Sequence, residues 1–213
     1  MKVILVGATT ICGRISPAGY GSLLDRRRLE ETRDKTGASI IGANTLRTEN
    51  PEMRGTNGTL SQDRIRAVIS RRGLIPVTDK KLFDHGPQPV VFTGEDNLSG
   101  LQERLKGKAR VISLPEGPYG LSLRAALDFF TGRDVESVLI EGGAQLNYAA
   151  LAEGVVDEIL LTIIPYVSGE HGSTAFADGP KHLGEPFLEL ELLSSEAVST
   201  GELFLHYRIK SIE

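Results

Sequence analysis

Apolar residues in this chain fall in short β-branched runs, separated by polar stretches with helical spacing. Residues 2–8 (KVILVGA) read as a buried first strand. Residues 9–24 carry glycines, a proline and small polar residues, and read as a long loop. Asp25 then serves as N-cap for a charged helix, DRRRLEETRDK. Strand patterns recur at 38–43 (ASIIGA), 66–70 (RAVIS), 89–93 (PVVFT), 109–114 (ARVISL), 135–140 and 158–165 (EILLTIIP). Helical patterns fall near 98–106, 122–130 and 144–153, and 44–58 reads mostly as loop, with turn signals at Asn50-Pro51 and Asn57-Gly58. From 187 to 209 the pattern is two strands about a turn at 199–201, a closing hairpin.

Strands alternating with helices predict an α/β fold. Its sheet is mostly parallel and mixed, with flanking helices and a C-terminal antiparallel hairpin. Ligands of such sheets sit at the carboxyl ends of the strands. That directs attention to loops 9–24, 42–54, 70–72, 93–96 and 141–143. No Ser/Pro-rich linker, repeat or low-complexity segment interrupts the pattern, so residues 1–213 are expected to form a single domain.

Composition narrows the class. The chain has 213 residues, 40% of them hydrophobic, enough for a sizeable core. No long apolar run suggests a membrane span, and the start, MKVILVGATT, reads as a strand rather than a leader. One cysteine excludes an internal disulfide, and with four scattered histidines it leaves no zinc-type cluster. A cytoplasmic enzyme or binding protein without a metal is expected. A net charge of −4 does not favour bulk nucleic-acid binding.

The candidate chemistry lies in the loops. Glu141, Gly142 and Gly143 stand between a buried strand and a helix. Glycine permits positive φ and leaves no Cβ in a ligand's way. The first amides of a helix lack internal partners and favour an anion. Such a turn suits a pyrophosphate, or is simply a tight strand–helix connection. Glu141 is a ligand contact or a solvated acid at a helix start. Arg14, Arg33, Arg47, Arg54, Arg71 and Arg72 fall in or near the same loops, and guanidinium suits phosphate. Each alone reads first as a surface charge. Ser70-Arg71-Arg72 directly after a strand is a plausible clamp for a terminal phosphate.

Four ordered segments resemble one family, the pyrimidine reductases of bacterial and archaeal riboflavin biosynthesis. TTICGRIS (9–16) is similar to its S-x-D-G-[KR]-I loop. Residues 33–51, with GANTLRxENP, are similar to its R…DAILVGxxTxxxDxP segment. AVISRRGLIP (67–76) is similar to a strand-Ser-Arg…Pro stretch. IEGG followed by a helix and VDEI…P is the most specific.

The resemblance implies the dihydrofolate-reductase-like fold, a homodimer, and NADPH-dependent reduction of a phosphoribosylaminopyrimidine to its ribitylamino product. In that reading Gly142 and Gly143 receive the pyrophosphate. Glu141 contacts ligand near the nicotinamide, and Thr45 touches the cofactor. Ser70 and Arg71 face the adenosine ribose and its 2′-phosphate, and Thr93 lines the adenine pocket. On the substrate side stand Cys12, Arg14, Arg33, Arg54 and Asn50. Cys12 and Asn50 replace family acids, with Glu49 keeping a carboxylate beside Asn50. Glu141 and Asn50 are the nearest candidates for a catalytic group. No H-x-E followed by P-C-x-x-C is present, so a reductase without the deaminase zinc site is expected. A same-fold reductase of a pterin or dihydrofolate, or a non-catalytic NADP-binding module, is the alternative.

Overall fold

The computed structural model describes residues 1–15, 20–185 and 187–210. Its strands are β1 (Lys2–Thr10), β2 (Ala38–Gly42), β3 (Ile65–Ser70), β4 (Val90–Thr93), β5 (Arg110–Ser113), β6 (Glu116–Gly117), β7 (Gly120–Leu121), β8 (Ser137–Ile140), β9 (Glu158–Ile164), β10 (Leu190–Ala197) and β11 (Leu203–Ile209). Its α-helices are α1 (Leu23–Asp34), α2 (Ala43–Glu49), α3 (Lys81–Asp84), α4 (Leu98–Arg104), α5 (Leu123–Thr131) and α6 (Ala144–Ala152).

Nine strands form one sheet in the order β10-β11-β9-β1-β8-β2-β3-β4-β5, and β6-β7 is a separate two-stranded hairpin. Every pairing from β9 across to β5 is parallel, while β11 and β10 run antiparallel at the other edge. This is the mixed α/β sheet expected of the sequence. β8 comes late in the chain yet inserts between β1 and β2, both earlier in sequence. Its carboxyl end therefore lies in the middle of the sheet edge, with a strand end on either side.

Period-two alternation divides the core between the two faces. Ile40, Ala67, Phe92, Val138 and Ile140 pack with Phe130 of α5 and Ala150 of α6. Ile41, Val68, Val91 and Val111 pack with Leu46 of α2 and Leu101 of α4 on the opposite face. α1 is different: it buries Thr32 and Arg33 rather than an apolar stripe. Its Arg28 lies 4.7 Å over the Phe204 ring and donates to the carbonyls of Leu161 and Leu205. α1 thus docks on the sheet largely through guanidinium groups.

Three expectations shift. Ser22, not Asp25, caps α1, because its Oγ accepts from the amides of Leu24 and Asp25. β1 continues to Thr10, where the bridge Thr9–Ile15 folds the next loop back onto it. The stretch read as loop after Gly42 begins with the two-turn helix α2, whose NTLR lacks an apolar periodicity but buries Leu46 completely.

Candidate functional site

The central feature is the passage from β8 to α6. Val138 pairs with Ala38 and Ile140 with Ile40, and the Glu141 amide donates to the Ile40 carbonyl at 2.9 Å, so the ladder continues one residue further. The pleat then sends the Glu141 side chain to the α1 face, the face of Ser39. There it meets Arg33, whose Nε and Nη2 lie 3.0 and 2.6 Å from its two oxygens. The side chains of this pair are 4% and 5% exposed. Ser39 Oγ also donates to Glu141, and Arg64 Nη2 reaches Ser39 Oγ. Burial alone would push the Glu141 carboxyl up. The Arg33 guanidinium, Arg64 and the Ser39 hydroxyl overrule it and hold the carboxyl below its usual range. Burial, and the like charge of Arg33, pull Arg64 down to about 10.

With Glu141 drawn inward, the chain must reverse direction within two residues. Gly142 and Gly143 do so at φ 86° and 101°, a region that side chains disfavour. A Cβ on Gly142 would face open space, and one on Gly143 would lie 3.4 Å from Thr45 Oγ1. Gly143 is the N-cap of α6 and supplies no side-chain cap. Gly42, the N-cap of α2, supplies none either. The two turns abut: a Cβ on Gly42 would lie 3.9 Å from the Gly142 carbonyl, and Thr45 Oγ1 stands 3.5 Å from that same oxygen. The structure thus brings Gly142, Gly143 and Thr45 together at two uncapped helix starts.

Ser70, Arg71 and Thr93 lie further along the same edge. Adjacent strands are about 4.8 Å apart, so β3 stands about 10 Å from β8 with β2 between them. The fully buried Thr93 donates its hydroxyl to the Ser70 carbonyl at 3.1 Å, tying β4 to β3. Arg71 is exposed and rests on Glu116.

The expected substrate-side residues, and the loop cation Arg47, do not share one role. Arg33 is spent on Glu141 and on the Arg54 carbonyl at 2.8 Å, and is buried. Arg54 pairs with Glu52, which also holds His85. Arg47 donates to the Leu74 carbonyl at 2.7 Å. Asn50 is the C-cap of α2, in the left-handed region at φ 48°. Its amide is committed to the Asp79 carbonyl at 3.0 Å and the Lys81 N–H at 3.1 Å. Arg14 donates to the Ser173 carbonyl at 2.6 Å and makes no ion pair among the described residues. Backbone bonds from Ile15 to Thr174 and from Phe176 to Gly13 hold its loop against the 173–176 segment. Cys12, at the loop tip, is exposed. The Thr10 hydroxyl, 3.2 Å from its sulfur, and the backbone at Gly169 and Ser168 lower the thiol to about 7.

The profile of the family described as the RibD C-terminal domain matches residues 1–204. The chain belongs to the riboflavin-biosynthesis pyrimidine reductase family. A Methanothermobacter thermautotrophicus protein named 2,5-diamino-6-ribosylamino-4(3H)-pyrimidinone 5′-phosphate reductase is 27% identical, over 98% of this chain and 98% of its own. A protein of the same name from Aquifex aeolicus is 26% identical, over 98% of this chain and 89% of its own. Against the riboflavin biosynthesis protein RibD of Actinobacillus pleuropneumoniae, 24% identical, the match covers 87% of this chain and 50% of that relative. The chain therefore spans about half the length of such RibD relatives. A pyrimidine reductase-like protein from Corynebacterium diphtheriae superposes with a TM-score of 0.78 at 22% identity, covering 99% of this chain and 92% of its own. That likeness, with Acinetobacter baumannii RibD at a TM-score of 0.75 and 21% identity over 99% of this chain and 58% of its own, confirms the dihydrofolate-reductase-like fold.

One residue was undervalued by the sequence reading. Counted from Thr45 to Pro51, the family's T-x-x-x-D-x-P spacing puts its acid at Glu49 and not at Asn50. Glu49 ends α2, one turn after Thr45 and on the same face of the helix. It is exposed at the surface, but the protein packed around its carboxyl group, then the charge of Glu141, push that carboxyl above the usual range.

The Arg33–Glu141 pair yields a stability prediction. Glu141→Gln leaves two buried guanidinium groups without their anion, and should destabilise the protein by about 3–5 kcal/mol in urea or thermal unfolding. Because the folded carboxyl is depressed, its stabilisation is complete above the unfolded value of about 4.3 and is lost as pH falls through the folded value. The stability difference between wild type and variant should therefore shrink in acid. A constant difference from neutral to acid pH would contradict the pairing.

Proposed function

We propose that the chain is an NADPH-dependent reductase converting the ribosylamino group of 2,5-diamino-6-ribosylamino-4(3H)-pyrimidinone 5′-phosphate to a ribitylamino group. The observation that carries this reading is the open Gly142–Gly143 turn, where α6 and α2 begin side by side without side-chain caps. Both glycines hold positive φ, and the space over Gly142 is free, so the cradle fits a diphosphate that a Cβ would obstruct. The relatives matched along nearly their whole length carry the name of the diamino compound's reductase, which favours it over the uracil analogue.

When bound, NADPH supplies a hydride. The chain's own residues do the rest. Gly143 and the first amides of α6 receive the diphosphate, and Thr45 lies beside it. Ser70 and Arg71 take the adenosine end, two strands away. Unlike Arg33 and Arg54, Arg14 has no carboxylate partner among the described residues, and it is assigned the substrate phosphate. The ring-opened sugar presents a C=N bond. Its carbon takes the hydride and its nitrogen takes a proton, giving the secondary amine. Glu49, one turn beyond Thr45 on the same face of α2 and with its carboxyl pushed above the usual range, is assigned that proton. Glu141 is ionised by Arg33 and acts by holding the turn.

Loss of NADPH absorbance on adding the diamino ribosylaminopyrimidine phosphate tests the reading. Oxidation with this compound and none with dihydrofolate is expected. Tight NADPH binding without turnover of any pyrimidine phosphate would make the chain a binding module.

Glu49→Gln tests the proton source. In the wild type the hydride-transfer rate should fall as pH rises through the Glu49 value, since the acid form is lost. The variant should lose that limb and run roughly a hundredfold slower. An unchanged pH profile would remove Glu49 from the role.

We also read the protein as a cytoplasmic homodimer. β10 leaves one edge of the sheet unpaired, and Phe187, 82% exposed, lies beside an apolar cavity of about 420 Å³ lined by Tyr148, Leu161, Leu188 and Tyr207. Sedimentation at micromolar concentration should give twice the chain mass; a monomer would refute this.

A further inference from the structure

We propose that Glu116 sets how strongly this protein distinguishes NADPH from NADH, by competing with the adenosine 2′-phosphate for the Arg71 guanidinium. The inference rests on the reading of Arg71 as that phosphate's partner. Glu116 lies in none of the motifs that carry the family resemblance. It stands in β6, the first strand of the small β6–β7 hairpin. Its two carboxylate oxygens lie 2.9 and 2.8 Å from Arg71 Nε.

Both partners are presented from fixed backbone. On the Glu116 side, the Ser122 amide donates to the Pro115 carbonyl at 2.9 Å, and Glu153 accepts from the Leu123 amide at the hairpin's base. A Cβ on the neighbouring Gly117 would come within 2.9 Å of Ser122 Cα and 3.0 Å of Glu153 Oε1, so the hairpin has no slack there. On the Arg71 side, Asn97 Nδ2 donates to the Arg71 carbonyl at 3.0 Å, and a Cβ on Gly94 would lie 3.2 Å from that oxygen. Only the side-chain tips are left to exchange. They are well placed to do so, being 62% and 55% exposed.

The chemistry then decides the direction. A carboxylate and a phosphate are both pure acceptors at neutral pH, and one guanidinium cannot serve both without bringing like charges together. A 2′-phosphate reaching Arg71 must displace Glu116 and remain near it. A 2′-hydroxyl, the group NADH carries there, can instead donate to Glu116. Glu116 therefore weakens NADPH, leaves NADH unaffected or slightly strengthened, and narrows the preference that Arg71 creates.

The test is calorimetric titration of NADPH and NADH into wild type, Glu116→Gln, Arg71→Ala and the double variant. It reads binding without turnover. Glu116→Gln should tighten NADPH roughly two- to fivefold, as expected for freeing an exposed ion pair, with no gain for NADH. Arg71→Ala should weaken NADPH on the order of tenfold and NADH little. In the Arg71→Ala background, Glu116→Gln should no longer raise the NADPH/NADH affinity ratio. If Arg71→Ala lowers that ratio but Glu116→Gln leaves it unchanged or lowers it, the competition is refuted and the clamp stands. If Arg71→Ala leaves the ratio unchanged, both are refuted.

Discussion

A carboxylate buried beneath the sheet edge organises this molecule. Removing Glu141 from water costs several kcal/mol, which only close, hydrogen-bonded counter-charge offsets. Arg33 provides it in a two-pronged contact, with Ser39 and Arg64 behind. This is why α1, a helix with almost no apolar face, can lie against the sheet at this point. It is also why the chain leaving β8 must turn so sharply. The Glu141 side chain is anchored on one face while α6 lies on the other, and two left-handed glycines make the reversal. The open amides of α6 are thus a consequence of where the acid went.

The same logic sorts the cations. Six arginines fall in or near the ligand-facing loops, and they differ in how they are engaged within the protein. Arg33 and Arg54 hold carboxylates, and Arg47 holds a carbonyl. Arg71 differs in that both it and its carboxylate partner Glu116 are exposed, so the pair can exchange, while Arg14, in the loop after β1, has the Ser173 carbonyl as its partner among the described residues. They stand on either side of β8, at β1 and β3, with the glycine turn between them. That layout suits an extended dinucleotide on the β8–β3 side and a phosphorylated substrate on the β1 side.

Much of the fold was legible because its strands are short, β-branched and buried on both faces, so that they read as brief continuous apolar runs bounded by turn residues. The closing hairpin and the β8–α6 turn were equally plain. The two-turn helix α2 was not, since its only buried apolar anchors are Ala43 and Leu46, too few to register as periodic. The glycine cradle and Thr45 could be read from sequence because backbone freedom is written in residue type. The fate of Glu141 and Arg33 could not. Whether a charged residue faces ligand or core depends on strand register, and the insertion of β8 between β1 and β2 is a fact of topology. Asn50 and Glu49 differ by one position, enough to separate a left-handed helix cap from the last carboxylate of α2, one turn after Thr45.

The most direct test of this account is a crystal structure of the protein with NADPH. It should show the diphosphate on the amides of Gly143 and the first turn of α6, with the Glu141 carboxylate still turned inward on Arg33. A diphosphate bound elsewhere, or Glu141 swung out to touch the cofactor, would contradict it.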